Sequence, residues 1–312
     1  MSQVIEIILP VFGILALGYA SARAGKFDDH ANRGLSLFVF GFALPLLLFQ
    51  SIAAAELPAQ IPWAYLAAYF GGTLATMALA MAVGRWCFGR RLDEQGVMAL
   101  GAGFSNTSML GIPLVLTAFG AQGALPMFIL LAVHSLILLP IVTVAIETGR
   151  GKGQGLGKTL SAILRGLAGN PIILALAAGL ISNLAGLSLP KVLLAVITPL
   201  GSAAVPCALF ALGASMARYK VAGQLAEPLS LVAFKTVVHP ALVWLLATPV
   251  FGLPDLWAAV ATVLAAQPTG ITAYLFGQRY QVVVESSATT ILLSTGFSAV
   301  TLSVLVLLLV PS

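Results

Sequence analysis

A shift of 161 positions lays one half of this chain on the other. Pro10 falls on Pro171, Gly25 on Gly186, Pro45 on Pro206, Glu94 on Asp255 and Asn106 on Gln267. Both halves are strongly apolar, so the repeat reads as a duplicated membrane bundle whose two copies meet at the middle of a bilayer. That architecture belongs to transporters far more often than to enzymes, and no enzymatic activity is expected.

Composition points to a membrane rather than to water. Of 312 residues, 60% are apolar and 8% charged, and the chain breaks repeatedly into hydrophobic stretches of about 20 residues, the length that crosses a ~30 Å hydrocarbon core. The pattern predicts ten spans, at 4–23, 33–54, 62–84, 95–119, 124–147, 169–186, 191–217, 225–250, 255–278 and 284–310. The net charge of +5 is no sign of nucleic acid, because Lys and Arg sit almost wholly in alternate loops. One side carries thirteen of them, from Arg23 and Lys26 to Arg218, Lys220 and Arg279; the other has Lys191 alone, and Lys235 lies inside span eight. The basic side is therefore read as cytoplasmic and both termini as external. An odd number of spans per repeat then inverts one repeat relative to the other. The expected fold is an all-α membrane protein of ten transmembrane helices in two inverted five-helix repeats, 1–148 and 169–312, joined by a basic linker at 149–168. Span one has no basic residue before it and two just after, so it is expected to remain a span and not to be cleaved.

The linker reads Gly149-Arg-Gly-Lys-Gly-Gln-Gly-Leu-Gly-Lys-Thr159, which ends like a phosphate-binding loop. The spacing fails, since the first glycine of that motif would stand where Lys152 does, and no strand precedes it. Cys87 and Cys207, in apolar surroundings in different repeats, read as small packing groups. No metal site and no cofactor is expected.

The chemistry concentrates in spans four and nine. Span four contains Gly101-Ala-Gly-Phe-Ser105-Asn106-Thr107-Ser108-Met-Leu-Gly111-Ile-Pro113, and span nine contains Ala266-Gln267-Pro268-Thr269-Gly270-Ile-Thr272. Proline removes a backbone donor and costs roughly 3 kcal/mol in a helix interior, with glycine adding about another 1. Two such breaks at one repeat position, each about 16 to 20 Å deep at 1.5 Å per residue, can meet near the midplane. The expectation is that helices 4 and 9 break and cross there. Their second halves, beginning near Gly111 to Pro113 and just after Pro268, would then aim positive N-terminal ends at the crossing. Asn106 and Gln267 can donate amide N–H groups to a carboxylate, with hydroxyls from Ser105, Thr107, Ser108 and Thr269 and backbone access at Gly270. The alternative is a pair of capped proline kinks.

Lys235 is near the midplane, where a charge costs ~2.5 to 3.5 kcal/mol even on insertion scales, so it should face a cavity or a partner. It could balance an anionic substrate, carry a proton, or bond exposed carbonyls of the broken helices. His134 and His239 are the other candidates for proton coupling. No Asp or Glu occurs from Gly96 to Leu125 or from Leu256 to Val284, which argues against pure cation exchange at the crossing.

At these breaks the chain resembles the auxin efflux carrier family, in particular its short bacterial members, some described as malonate or malate permeases. The resemblance runs nearly end to end. It rests on Pro10-Val-Phe-Gly-Ile-Leu-Ala-Leu-Gly-Tyr, Ser105-Asn-Thr-Ser-Met-Leu-Gly-Ile-Pro, Gln267-Pro-Thr-Gly-Ile-Thr-Ala-Tyr, and a Ser/Thr-rich last span from Ser286 to Ser298. It implies a fold like that of bile-acid symporters and sodium/proton antiporters, with helices 1, 2, 6 and 7 as a scaffold, often dimeric, and helices 3–5 and 8–10 as a transport domain. It also implies elevator-like transport of a small organic anion; with the charge reading, the chain is expected in a bacterial inner membrane with both termini in the periplasm, and a proton or sodium ion is a candidate coupling partner. The long central loop of the plant carriers is missing, Thr107 stands where they have proline, and Gln267 where asparagine is common. Auxin as substrate is thus open. The rival readings are a non-transporting membrane sensor or scaffold and a sodium-coupled organic-anion symporter.

Overall fold

The computed structural model describes residues 2–55, 57, 63–150, 161, 165, 168–187, 189–219, 221 and 224–310. Most of the expected linker at 149–168 lies outside the described residues. The described chain is all helical and without strands. In order it forms α1 (Ser2–Arg23), α2 (Asp29–Ala53), α3 (Trp63–Trp86), α4 (Leu92–Gly103), α5 (107–119), α6 (Ala124–Gly149), α7 (Pro171–Leu184), α8 (Lys191–Met216), α9 (Ala226–Val250), α10 (Asp255–Ala265), α11 (Thr272–Tyr280) and α12 (Val284–Leu309). Seven helical stretches among the described residues are long and apolar enough to cross a membrane; one of them, Thr107–Gly149, runs from α5 through a tight turn at Gly120–Gly123 into α6. Pro171–Leu184 and Asp255–Ala265 are apolar but shorter. Large apolar side chains stand exposed on many helices, among them Leu9, Leu17, Phe42, Trp86, Val192, Val250 and Leu308, as a surface turned to lipid requires. Cys87 departs from the packing role expected of it: it is exposed just after α3, whereas Cys207 is half-buried in α8.

Four wide π turns occur among the described residues; one, Leu246–Val250, closes α9, and the other three share one cause. The turns Val39–Ala43, Thr107–Gly111 and Phe234–Val238 are each followed, two residues on, by a proline: Pro45, Pro113 and Pro240. Proline has no N–H and its ring crowds the carbonyl of the preceding turn. The backbone answers by bonding five residues back, from Leu44 to Val39, Ile112 to Thr107 and His239 to Phe234, and the helix continues.

Helix ends and contacts keep the 161-residue spacing. Helix α1 ends at Arg23 and α7 at Leu184, each followed by a left-handed glycine, Gly25 (φ 69°) and Gly186 (φ 63°). Helix α5 ends at Phe119 and α11 at Tyr280, and the next residues, Gly120 (φ 60°) and Gln281 (φ 54°), both take a positive φ, which glycine adopts without strain and glutamine does not. Packing repeats too, with the halves exchanged. Gly18 of α1 lies against the Phe210 carbonyl of α8, and its repeat equivalent Gly179 of α7 lies against Phe49 of α2, the equivalent of Phe210. Helices α2 and α8 run antiparallel side by side, joined by Asn32 to Ser215 (2.9 Å) near one end and Gln50 to Thr198 (3.2 Å) near the other.

Ion pairs gather at one end of the bundle, Arg90 with Glu227 (2.6 Å) and Glu94 (3.1 Å), Arg91 with Asp93 (2.9 Å) and Arg218 with Asp29 (2.7 Å). The first binds the start of α4 to the start of α9, so the two helices that flank the centre of the fold begin from a common anchor.

Close backbone approach makes a prediction. Because lipid tails are as apolar as leucine, such helices associate through packing that small residues allow. A Cβ at Gly213 would run into the Leu15 carbonyl and one at Gly18 into that of Phe210, whereas Gly13 faces open space. Gly18→Ala and Gly213→Ala should each lose about 1–3 kcal/mol, and Gly13→Ala should be near neutral. Thermal unfolding in detergent, followed by size exclusion, checks the contrast.

Candidate functional site

Between α4 and α5 the backbone leaves the helix at Phe104, Ser105 and Asn106, and between α10 and α11 it does so from Ala266 to Ile271. The two loose segments run antiparallel and hydrogen-bond to each other. Asn106 N–H donates to the Pro268 carbonyl (2.8 Å) and Gly270 N–H to the Phe104 carbonyl (2.8 Å), which pairs Ser105 with Thr269 like two rungs of a sheet. The Thr269 hydroxyl donates to the Gly101 carbonyl at the end of α4 (2.6 Å), and its N–H to Ser294 of α12 (3.1 Å). Unwound backbone this deep thereby finds partners in protein.

Four helix ends converge here. Helices α4 and α10 arrive with their C-terminal carbonyls, and α5 and α11 depart with their N-terminal amides. Asn106 caps α5, its side-chain oxygen accepting from Met109 N–H (3.3 Å), while the carbonyl accepts from Gly111 N–H (3.1 Å). Its amide nitrogen makes no hydrogen bond to the described residues, and the side chain is buried. Gln267 is fully buried; its amide nitrogen folds back onto the Val263 carbonyl (3.0 Å), and its oxygen has no partner among the described residues.

Lys235 reaches this crossing from the π turn of α9 and is completely buried. Its ammonium donates to Ser105 Oγ (2.8 Å), to His239 Nδ1 (3.0 Å) and to the Ala265 carbonyl that ends α10. Three acceptors match the three N–H groups of an ammonium. The tautomer of His239 follows from its other neighbour. Thr73 donates its hydroxyl to the Tyr69 carbonyl (2.7 Å), so Thr73 Oγ1 accepts from His239 Nε2–H (2.9 Å) and Nδ1 is left to accept from Lys235. The cation thus sits at the carbonyl end of α10, where the helix dipole favours it.

Of the residues singled out from the sequence, the fold brings Ser105, Asn106, Gln267, Pro268, Thr269, Gly270, Lys235 and His239 together. Thr107 and Ser108 follow on the first turn of α5. Gly111 and Pro113 lie inside α5 and not in the gap; a Cβ at Gly111 would touch Leu264 and Gln267. The unwinding falls upstream of them because the π turn absorbs the proline. His134, on α6, stands outside the lysine's bonds: Phe104 meets its ring edge-on at 4.6 Å, Tyr69 Oη lies 3.4 Å from Nδ1, and Nε2 is buried without a partner among the described residues. Sequence reasoning misses Tyr69, Thr73 and Ser294. Tyr65, Tyr69 and Thr73 recur every four residues along span three, a polar face in an apolar helix that could have pointed to them.

An apolar bundle with two interrupted helices bonded to each other inside it, and a buried cation beside them, is the build of a membrane carrier and not of an enzyme. The sequence profile of the family described as Membrane transport protein matches residues 3–306, and the chain belongs to that family, which includes the auxin efflux carriers. It is 28% identical over 309 residues to a protein of Rhizobium meliloti (strain 1021) named "Putative malonate transporter", covering 99% of this chain and 97% of that one. It is 24% identical over 304 residues, 94% of each chain, to an uncharacterized transporter of Methanocaldococcus jannaschii. Against auxin efflux carrier component 8 of Arabidopsis thaliana it is 29% identical over 150 residues, 46% of this chain and 41% of that one.

The crossing demands glycine at one position. A Cβ at Gly270 would stand 2.9 Å from the Phe104 ring and 3.2 Å from the Ser105 carbonyl, both fixed by the paired segments. Gly270→Ala should cost about 1–3 kcal/mol. Gly111→Ala, whose nearest neighbour is the flexible end of Leu264 at 3.2 Å, should cost less. Comparative melting of the two variants in detergent tests the order.

Proposed function

We propose that this chain is a secondary active carrier of small organic anions, mono- or dicarboxylates such as malonate, that works by elevator-type alternating access. The observation that carries this reading is the mutual hydrogen bonding of the two helix breaks, Asn106 to Pro268 and Gly270 to Phe104, which draws the N-terminal ends of α5 and α11 to one buried place. The anion rests on those ends and on the Asn106 amide, with the hydroxyls of Thr107 and Ser108 beside it. Lys235 acts from behind, holding the carbonyl end of α10.

In this reading the ten passages are α1, α2, α3, α4 with α5, α6, α7, α8, α9, α10 with α11, and α12, five to each repeat. Inversion of the repeats is supported by the antiparallel course of α2 and α8 and by the exchanged contacts of Gly18 and Gly179. The basic end faces the cytoplasm and both termini the periplasm of a bacterial inner membrane. Helices α1, α2, α7 and α8 form the frame, against which the remaining helices carry the crossing from one side to the other. A cavity of about 890 Å³ supports an approach from the end remote from the ion pairs, since it opens between frame residues Leu47, Gln50 and Thr198 and carrier residues Gln122, Leu125 and Trp257.

Uptake of labelled malonate, malate and indole-3-acetate into proteoliposomes, with pH and sodium gradients imposed separately, tests the proposal. Saturable flux of at least one is expected, and Asn106→Ala should lower it at least ~10-fold, about 1.4 kcal/mol of binding. Absence of flux from folded protein, or full flux in Asn106→Ala, would overturn it.

A further inference from the structure

The charge available to a cargo at the crossing can be counted. The cationic side chain there is Lys235, and all three of its N–H groups are committed, to Ser105, His239 and the Ala265 carbonyl. His239 gives its Nε2–H to Thr73. The N-terminal ends of α5 and α11 add roughly half an elementary charge each and the carbonyl ends of α4 and α10 that meet there take away about as much, so the net positive charge at the crossing is about one, that of Lys235. The Asn106 amide adds N–H groups without charge. The cavity lined by Gln50, Ser51, Gln122, Thr198 and Ser202 is uncharged as well, none of its lining residues being acidic or basic.

The second observation is a group of the opposite character. Gln267 Oε1 is sealed from water and accepts no hydrogen bond from the described residues, while its own nitrogen is held by Val263. Its side chain lies beside Asn106, since a Cβ at Gly111 would be 3.4 Å from Gln267 Cγ and 3.5 Å from the Asn106 carbonyl. An amide oxygen in that position repels a carboxylate and is satisfied by a donor.

Building on the carrier reading, we propose that the cargo is a singly charged acid that also bears a hydrogen-bond donor. Its one carboxylate lies against the N-terminal ends of α5 and α11 and the Asn106 amide, and its O–H or N–H donates to Gln267 Oε1. A diacid is carried as its singly protonated form, because a second negative charge would meet an acceptor and no free cation. The titratable groups facing the crossing are Lys235 and His239 from α9, Tyr69 from α3 and His134 from α6. Helices α4, α5, α10, α11 and α12 bring no acidic or basic side chain to it, their charged residues lying at the far ends.

The test uses wild-type protein in vesicles held at equal internal and external pH, from below to well above the second pKa of malonic acid. Labelled malonate and labelled lactate, a monoanion with a hydroxyl, are measured in the same preparation, so that any pH response of the protein cancels in their ratio. The malonate-to-lactate rate ratio should fall about tenfold per pH unit above that pKa. In Gln267→Met the preference for lactate over propionate, which lacks the hydroxyl, should shrink toward parity. A malonate-to-lactate ratio that stays level or rises with pH overturns the charge assignment and leaves the carrier reading standing. An unchanged lactate preference in folded Gln267→Met overturns the donor assignment. Saturable flux of none of the three acids, nor of malate or indole-3-acetate, overturns the carrier reading itself.

Discussion

Everything at the centre of this fold follows from the requirement that backbone polar groups inside a membrane find partners within the protein. A helix interrupted in hydrocarbon strands the carbonyls of its first half and the amides of its second. Here two interrupted helices solve the problem for each other. The Ser105 and Thr269 segments pair, Thr269 reaches back to the Gly101 carbonyl and sideways to Ser294, and Lys235 covers the Ala265 carbonyl. Neither break is stable without the other, which is why glycine at 270 matters as much as the prolines that first draw the eye.

The 161-residue correspondence is close among α1, α2, α7 and α8 and loose in the centre. Gly18 on Phe210 and Gly179 on Phe49 are one contact made twice. By contrast, Lys235 has Leu74 as its repeat equivalent, and neither Thr73 nor His239 has a polar counterpart, since Phe234 and Ala78 occupy those places. A strict duplicate would have carried two buried ammonium groups within reach of each other, or none. One lysine, bonded through His239 to Thr73 and so linking α9 to α3, neutralises the negative end of α10 without a second charge to repel it.

Much of this is legible in the sequence, for reasons that also mark where reading stops. The matched pair Asn106 and Gln267 locates the crossing, because an amide buried in an apolar span is costly unless it meets a partner, and two at equal depth can share one polar place. The start of the half-helix beyond the first break is not legible. Pro113 suggests it, but a proline's missing donor is made good upstream by the bond from Ile112 to Thr107, so the chain stays helical at the proline and opens at Phe104. The depth of Lys235 can be counted, yet its partners cannot be named, since a backbone carbonyl leaves no mark on a sequence and Ser105 is 130 residues away. As a residue type Gln267 reads as a donor to an anion, whereas in the fold its nitrogen is occupied and its oxygen is the idle atom.

The three proline-coupled turns have a consequence for how these helices present their faces. Each π turn holds one residue more than an α turn, and one residue is about 100° of rotation about the helix axis. Everything beyond Pro45, Pro113 or Pro240 is therefore swung by more than a quarter circle relative to an unbroken helix. A single passage can set one stripe of side chains against one neighbour and, past the proline, a different stripe against another. In α9 this slip divides the stretch bearing Lys235 from the half that follows Pro240, where Val243 packs against Gly72 of α3. An uninterrupted α-helix would have had to choose between those two surfaces.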